Sequence, residues 1–406
     1  MSLWLTFFGP VMWTGSLFLI LYPYLGYPLL LAIFSLRSWP KKERAQKLDN
    51  SPLGSYPMVS VIISAYNEEE VIEEKILNTL KLDYPREKLE IWIASDGSTD
   101  RTNQKAALYQ DEGVKLFQQK ERQGKSALLN QVIPKTSGEI ILFTDANAFL
   151  SRISLRNLVQ HFQDERVGFV TGRTEYTQGN SVGKTGGLYH RYEQYLKRKE
   201  SALGSCVGAD GAIFAIRKKL YFPLLADDLN DLAIPLQIVQ QGYRGVMEDA
   251  AIACESASSR IGKEVGRQVR ITNRTLRTLF RNRNLLNPFR YPLFAWQLFS
   301  HKLWRFLVPF FMITLFISNL VALGISRGYF FPLVLQLIFY ALALVGFWLD
   351  GRGRVFSVCR VAYHFTLINW AMMCGWLRCC SRNHDVFWTP DRGACSLVDI
   401  TSGRQD

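Results

Sequence analysis

Charge is missing from three long stretches of this 406-residue chain: residues 1–36, 306–325 and 328–349 contain no Asp, Glu, Lys or Arg. About 20 apolar residues in a helix cross a hydrocarbon core of about 30 Å, so each stretch reads as a membrane span. Cysteine is scarce and irregular. The seven cysteines are an odd number without metal-ligand spacing, and Cys359, Cys374, Cys379 and Cys380 sit in or beside apolar sequence. Neither a disulfide framework nor a zinc site follows. Residues 1–36 also lack the basic n-region and the small-residue cleavage site of a secretory signal, and they exceed an h-region in length, so they read as a retained anchor. No glycine stands five residues before Gly124, which disfavours a P-loop ATPase for Arg122-Gln123-Gly124-Lys125-Ser126.

What is present lies between the uncharged stretches. A mean hydropathy of +0.00 averages a polar middle with apolar ends, and the length suits one globular domain of roughly 250 residues plus anchors. The net charge of +13 fits nucleic acid, anionic lipid or a phosphorylated substrate. Flanking spans favour the last two, so a bilayer and not nucleic acid is the expected partner. Arg37, Lys41, Lys42, Arg44 and Lys47 follow the first span, and the positive-inside rule places the middle domain in the cytoplasm, on a multi-pass protein of the cell membrane. The expected division is an anchor over 1–36, a basic linker over 37–57, a catalytic domain over 58–285, an interfacial segment over 286–305, a membrane region over 306–380 and a polar tail over 381–406. Spans are expected near 11–34, 306–325 and 328–349. Residues 361–377, uncharged apart from His364, either cross or lie at the interface.

Within the middle domain, apolar runs alternate with helix-period sequence. Strands are expected at Val59–Ser64, Leu89–Ala94, Val114–Phe117 and Glu139–Thr144. After the first, Val71, Ile72, Ile76, Leu77 and Leu80 mark the apolar face of a helix. After the second, Ser98 or Thr99 is expected to cap a helix ahead of Asp100. A further helix is expected near Gly124. Such alternation implies a parallel sheet covered on both faces, with ligands at the carboxyl ends of its strands. Tyr66 to Glu68, Asp96 and Asp145 each directly follow a strand, which converges acceptor groups on one edge.

Asp145-Ala146-Asn147 offers a carboxylate and an amide oxygen two residues apart, donors that suit Mg2+ or Mn2+ held jointly with a diphosphate. Alone, such an Asp is often structural, and Asp96-Gly97-Ser98 is also a common turn. Lys125 sets a cation against phosphate or is a solvated helix-start lysine. Asp231 opens an amphipathic helix ending at Gly242-Tyr243-Arg244, where an acid is either an ordinary cap or a general base. Arg267, Arg270, Arg274, Arg277 and Arg281, spaced 3, 4, 3, 4, form one cationic stripe on a helix. The early members are expected to face a diphosphate and the later ones lipid headgroups.

Taken together, Ser64-Ala65-Tyr66-Asn67-Glu68, Asp96-Gly97-Ser98, Gly124-Lys125, Asp145-Ala146-Asn147, Asn230-Asp231 and Arg267-x-x-Arg270-Ile271 resemble the membrane-embedded family 2 glycosyltransferases, the group that includes cellulose, hyaluronan and poly-N-acetylglucosamine synthases. The resemblance covers about residues 58–380. It implies a GT-A fold, an α/β domain with a Rossmann-like, mostly parallel sheet, and inverting transfer from a nucleotide-diphosphate sugar, usually UDP-linked glucose or N-acetylglucosamine, to a glycan or lipid-linked acceptor. By the resemblance, Ala65, Tyr66, Glu68 and Asp96 hold the nucleoside and Lys125 lies near the diphosphate. Asp145 and Asn147 match the metal-binding motif, Asp231 the catalytic base, Gly208, Ala209 and Asp210 the acceptor path, and Arg267 and Arg270 the gate over the diphosphate. Asn147 and Asn230 replace the usual acids, and Ile271 replaces the usual Trp, which removes an indole for sugar stacking and counts against processive polymerisation. Alternatives are single addition to a polyprenyl phosphate or other lipid, and an inactive transporter or scaffold. The retention of Asp96, Asp145 and Asp231 argues against the latter.

Overall fold

The computed structural model describes residues 3–36, 56–177, 182–256, 261–350 and 357–381. The expected linker, apart from residues 56 and 57, and the expected tail beyond residue 381 lie outside the described residues. In chain order the elements begin with α1 (Leu3–Leu21), a π-helical turn (Tyr22–Gly26) and α2 (Tyr27–Leu36). Next come β1 (Val59–Ala65), α3 (Ile72–Leu80), β2 (Leu89–Ser95), α4 (Thr102–Ala107), β3 (Val114–Gln118), α5 (Lys125–Val132) and β4 (Ile140–Asp145). The domain continues through β5 (Phe149–Leu150), α6 (Ser154–Val159), β6 (Val167–Thr177), α7 (Val182–Leu203), β7 (Phe214–Arg217), α8 (Asn230–Gln240) and β8 (Arg244–Ser256). The helices α9 (Ile261–Arg281), α10 (Pro292–Leu298), α11 (Trp304–Leu323), α12 (Phe330–Asp350) and α13 (Ser357–Cys380) follow.

Two units divide these elements. Among the described residues one holds 31–36, 56–256 and 280–294, and the other holds 3–30, 261–279 and 295–381. The first is built on an eight-stranded sheet of order β3-β2-β1-β4-β7-β6-β8-β5. Its β3-β2-β1-β4 half is parallel, as alternating strand and helix sequence requires. β1 reads Val-Ser-Val-Ile-Ile-Ser-Ala and is buried throughout, which a strand covered on both faces demands. The other half is mixed: β7 runs antiparallel to both β4 and β6, β6 and β8 are parallel, and β5 is antiparallel to β8. The register aligns Ala65 with Ser95 and Ser64 with Asp145. The ends of β1, β2 and β4 therefore open on one edge within a residue of each other.

The helices of the sheet unit depart from sequence expectation in two places. On α3 the face against the core carries Ile72, Lys75, Ile76, Asn78 and Thr79, whereas Leu77, expected on it, is exposed. The N-cap position ahead of α4 is Arg101, which makes no side-chain cap bond, while Asp100 Oδ1 accepts from the Thr102 amide at 3.0 Å. Ser98 and Thr99 instead bond to Asn67 across the edge: the Asn67 amide donates to Ser98 Oγ at 3.1 Å and the Thr99 amide to Asn67 Oδ1 at 2.8 Å.

Three helical runs of the described residues are long and apolar enough to cross a membrane: Gly9–Leu36, Pro292–Leu323 and Arg327–Leu349. From Pro292 onward, the segment expected to be interfacial is continuous with the second of these. The 361–377 stretch lies inside α13. Within the helical unit, α1 packs along α11, with the Trp304 indole donating to the Leu19 carbonyl at 2.8 Å and Ser16 bonding Thr314 at 3.0 Å. α12 meets α13 at Gly346, where a Cβ would stand 2.5 Å from the Cys359 carbonyl oxygen. A small residue there allows the close backbone approach typical of packed membrane helices.

Candidate active site

At the open edge of the parallel half, Tyr66 and Asp96 are joined through Arg122. The Arg122 guanidinium lies 3.7 Å from the centroid of the Tyr66 ring, a cation–π contact, and its Nε is 3.9 Å from Asp96 Oδ2. Asp96 is fully buried, and the amides of Gln123 and Gly124 donate to its Oδ1 at 2.8 and 3.1 Å. Its carboxylate thus holds the turn that launches α5. Gly97 is required beneath that turn: at its φ of +67°, a Cβ would meet the Arg122 amide nitrogen at 2.6 Å. Ala65 is buried, and its carbonyl accepts from the Asp96 amide at 3.0 Å. Glu68 is buried as well, and its carbonyl accepts from the amides of Val71 and Ile72 to start α3. Just past the end of β3, Gln119 is buried, its backbone amide donates to the Ser95 carbonyl at 3.0 Å, and its side-chain Nε2 and Oε1 meet no hydrogen-bond partner among the described residues.

Lys125, at the first position of α5, places Nζ 2.5 Å from Asp145 Oδ1. Its neighbour Ser126 donates from Oγ to the Asp228 carbonyl at 2.8 Å. Asp145 is 35% exposed and Asn147 is half-buried, on a turn closed by the Ala148 amide donating to the Asp145 carbonyl at 3.2 Å. Beneath the turn lies Lys75, fully buried, donating to Thr144 Oγ1 at 3.0 Å and to the Ala148 carbonyl. Burial pushes the Lys75 ammonium down to about 7, while the charges of Asp145 and Glu255 pull it upward.

Asp145 and Asn147 fit a hard divalent cation on two grounds. Their donors are a carboxylate and an amide oxygen, and the carboxylate already binds a cation, the Lys125 ammonium. Among the described residues no three His, Cys, Asp or Glu gather as a metal cluster. A metal here therefore takes its remaining oxygens from phosphate or water.

Asp231 stands in the first turn of α8. The 208–211 loop packs on it: the Ala209 amide donates to the Asp231 carbonyl at 2.8 Å, and a Cβ on Gly211 would lie 3.4 Å from Asp231 Oδ2. Gly208 would likewise meet the Asp231 carbonyl oxygen at 3.4 Å. Asp210 faces away from this work. Its carboxylate accepts from Thr174 Oγ1 at 2.8 Å, the Thr174 amide at 3.1 Å and the Ala212 amide at 3.2 Å, which anchors the loop to β6.

The arginine stripe is not a single surface. Arg267 is exposed, Arg270 half-buried and Arg274 buried, all on the part of α9 in the helical unit. Arg277 and Arg281, expected at lipid headgroups, are held by protein. Arg277 donates to Asn273 Oδ1 at 3.0 Å and to the Cys379 carbonyl at 3.3 Å. Arg281 pairs with Asp227 at 2.6 Å and Asp228 at 2.8 Å. Sequence reading missed Lys75, the Arg122–Tyr66 contact and this last pair. The adjacent acids at Asp227 and Asp228, just ahead of Asp231, were the available signal for the pair.

The strand order and open-edge site define a GT-A glycosyltransferase fold. Over 92% of this chain and 99% of the other, the structure matches the mannosyltransferase of Pyrobaculum calidifontis solved in complex with GDP-Man and Mn2+, with a TM-score of 0.65 at 21% identity, a likeness of fold. Residues 60–222 match the family model of glycosyl transferase family 2, and the chain carries a domain of that family. Over 172 residues it is 37% identical to the beta-monoglucosyldiacylglycerol synthase of Nostoc sp., covering 40% of this chain and 36% of that one. Over 243 residues it is 26% identical to the poly-beta-1,6-N-acetyl-D-glucosamine synthase of Staphylococcus aureus, covering 56% and 58%. The chain thus spans less than two thirds of the length of these curated relatives.

Proposed function

We propose that this protein is an inverting glycosyltransferase that moves a sugar from a nucleoside-diphosphate donor to a hydroxyl acceptor at the cytoplasmic face of a membrane. One observation carries the reading. Consecutive residues of the first turn of α5 grip the two halves of the site, Lys125 on Asp145 and Ser126 on the Asp228 carbonyl, three residues ahead of Asp231. The Asp145 carboxylate and the backbone turn that leads into Asp231 are thereby fastened to one helix terminus.

In this reading Ala65, Tyr66, Glu68 and Asp96 line the nucleoside subsite, and Arg122 stiffens it from above Tyr66. Asp145 and Asn147 would hold Mg2+ or Mn2+, which when bound supplies positive charge against the diphosphate. Lys125, on leaving Asp145, would turn its ammonium to the same phosphates, the role that the family resemblance gives also to Arg267 and Arg270. Asp231 accepts the proton of the acceptor hydroxyl as that oxygen attacks the anomeric carbon. The bond from that carbon to the diphosphate oxygen breaks with its electron pair on the nucleotide, and the new glycosidic bond has inverted configuration. Gly208, Ala209 and Asp210 form the loop against which the acceptor approaches Asp231, and the absence of a side chain at Gly211 leaves room beside that carboxylate.

A lipid acceptor receiving a single sugar is favoured over a growing polymer by Ile271 at the gate position and by the similarity to a glucosyldiacylglycerol synthase. The test is incubation of the detergent-solubilised chain with UDP-sugars and GDP-mannose in Mg2+ or Mn2+, reading nucleotide release and partition of labelled product into organic solvent. Asp231→Asn should bind nucleotide normally and transfer about 100-fold more slowly or worse. Wild-type transfer by that variant would place the base elsewhere.

A further inference from the structure

We propose that Lys75 is a positioning residue for divalent-metal binding, fastening both ends of the turn that carries Asp145 and Asn147. The proposal rests on the reading of those two residues as metal donors. Lys75 is wholly enclosed, and its ammonium donates to the side chain just before Asp145, Thr144 Oγ1, and to the carbonyl just after Asn147, that of Ala148. One side-chain nitrogen therefore bridges the two flanks of a three-residue segment.

The same helix grips the next strand. Asn78, one turn along α3, donates from Nδ2 to the Leu150 carbonyl at 2.9 Å and accepts at Oδ1 from the Leu150 amide at 2.8 Å. The segment from Thr144 to Leu150 is thus fixed at three points by side chains of one helix face. Burying an ammonium is costly, and a methionine would fill similar volume without that cost. Lysine supplies a directed donor to two oxygens. Partners of this kind set the orientation of metal-binding groups, and their loss commonly weakens metal binding about 10- to 100-fold.

The experiment uses the full chain in detergent and reads binding rather than turnover. Mn2+ is titrated by electron paramagnetic resonance in the presence of UDP or GDP, whichever wild type retains, and nucleotide affinity is measured separately without metal. Lys75→Met should raise the Mn2+ dissociation constant about tenfold or more and leave metal-free nucleotide affinity within about twofold. Thr144→Val, which deletes one acceptor, should move Mn2+ affinity in the same direction, and Thr144→Ser, which restores the hydroxyl, should return it. The Thr144 pair decides the matter if Lys75→Met does not fold. Unchanged Mn2+ affinity in folded variants, equal losses of Mn2+ and nucleotide affinity, or no rescue by serine would overturn the proposal. Wild type that binds nucleotide without taking up Mn2+ would instead remove the metal reading of Asp145 and Asn147, and the proposal with it, before any variant is compared.

Discussion

Arg281 separates the surface implied by its helical spacing from the contacts it makes. Its guanidinium, 32% exposed, bridges Asp227 and Asp228, whose side chains are 5% and 8% exposed. Two opposite charges about 4 Å apart attract by about 4 kcal/mol at an effective dielectric of about 20, most of which is offset by the desolvation of the carboxylates. Removing the cation is not the reverse of forming the pair, because it leaves two adjacent acids enclosed without it. Breaking buried pairs this way costs about 3–5 kcal/mol. Partial exposure of Arg281 moves the expected loss to the low end, about 3 kcal/mol.

That loss falls on the turn that Ser126 holds and that leads directly into Asp231. If between half and all of it is expressed in the transfer step, Arg281→Met lowers kcat about 10- to 100-fold. Asp227→Asn combined with Asp228→Asn in the same background should recover part of the activity, since the uncompensated charges are gone. The assay is nucleotide release in vesicles of neutral phosphatidylcholine, repeated with anionic phosphatidylglycerol. The ion-pair account requires the same loss in both. A defect confined to anionic vesicles, or no recovery on neutralising the two acids, would refute it and return Arg281 to the headgroups.

Three further outcomes are expected. Asp145→Ala should abolish Mn2+-stimulated nucleotide release, and EDTA should do the same to wild type, whereas Asn147→Asp should retain activity and bind Mn2+ more tightly in a calorimetric titration. Asp210→Ala orphans the donors of Thr174 and Ala212, so the acceptor KM should rise with nucleotide affinity unchanged; an equal change in both would show a general loosening. Burial works to raise the Glu90 carboxyl, but the Lys115 ammonium with donors from Ser60 and Ser137 outweighs it and holds the group at about 2, below its ordinary 4.5. A depressed folded-state value gives stability that is present above about 4.5 and lost as pH falls toward 2, so wild type should lose more melting temperature over that range than Glu90→Gln.

How far the sequence carried this picture depended on the range of the contacts. The β1, β2 and β4 runs are visible because a strand buried on both faces is apolar throughout, and their ends were short by one residue because the ladder continues through Ala65, Ser95 and Asp145. The cap before α4 was misplaced because Ser98 and Thr99 are engaged by Asn67, 31 and 32 residues earlier. On α3, periodicity rewarded Leu77 for being apolar and passed over Lys75, whose burial depends on oxygens 69 and 73 residues away. The arginine spacing was real, but spacing does not name a partner, and those of Arg281 lie 53 and 54 residues back.

The same division of range explains which half of the site is encoded by compact motifs. On the proposed donor side each residue ends or directly follows its own strand in a βα unit, so Tyr66, Asp96 and Asp145 announce themselves locally. The proposed acceptor side is assembled from the mixed half of the sheet. Asp231 gains its surroundings from the 208–211 loop, which Asp210 ties to Thr174, 36 residues earlier. The first turn of α5 is where the two halves meet, with Lys125 and Ser126 reaching 20 and 102 residues along the chain. A substitution in the 208–211 loop should therefore disturb acceptor use alone. A change at Ser126 loosens the turn ahead of Asp231 from the helix that also holds Asp145, so it should disturb donor and acceptor kinetics together.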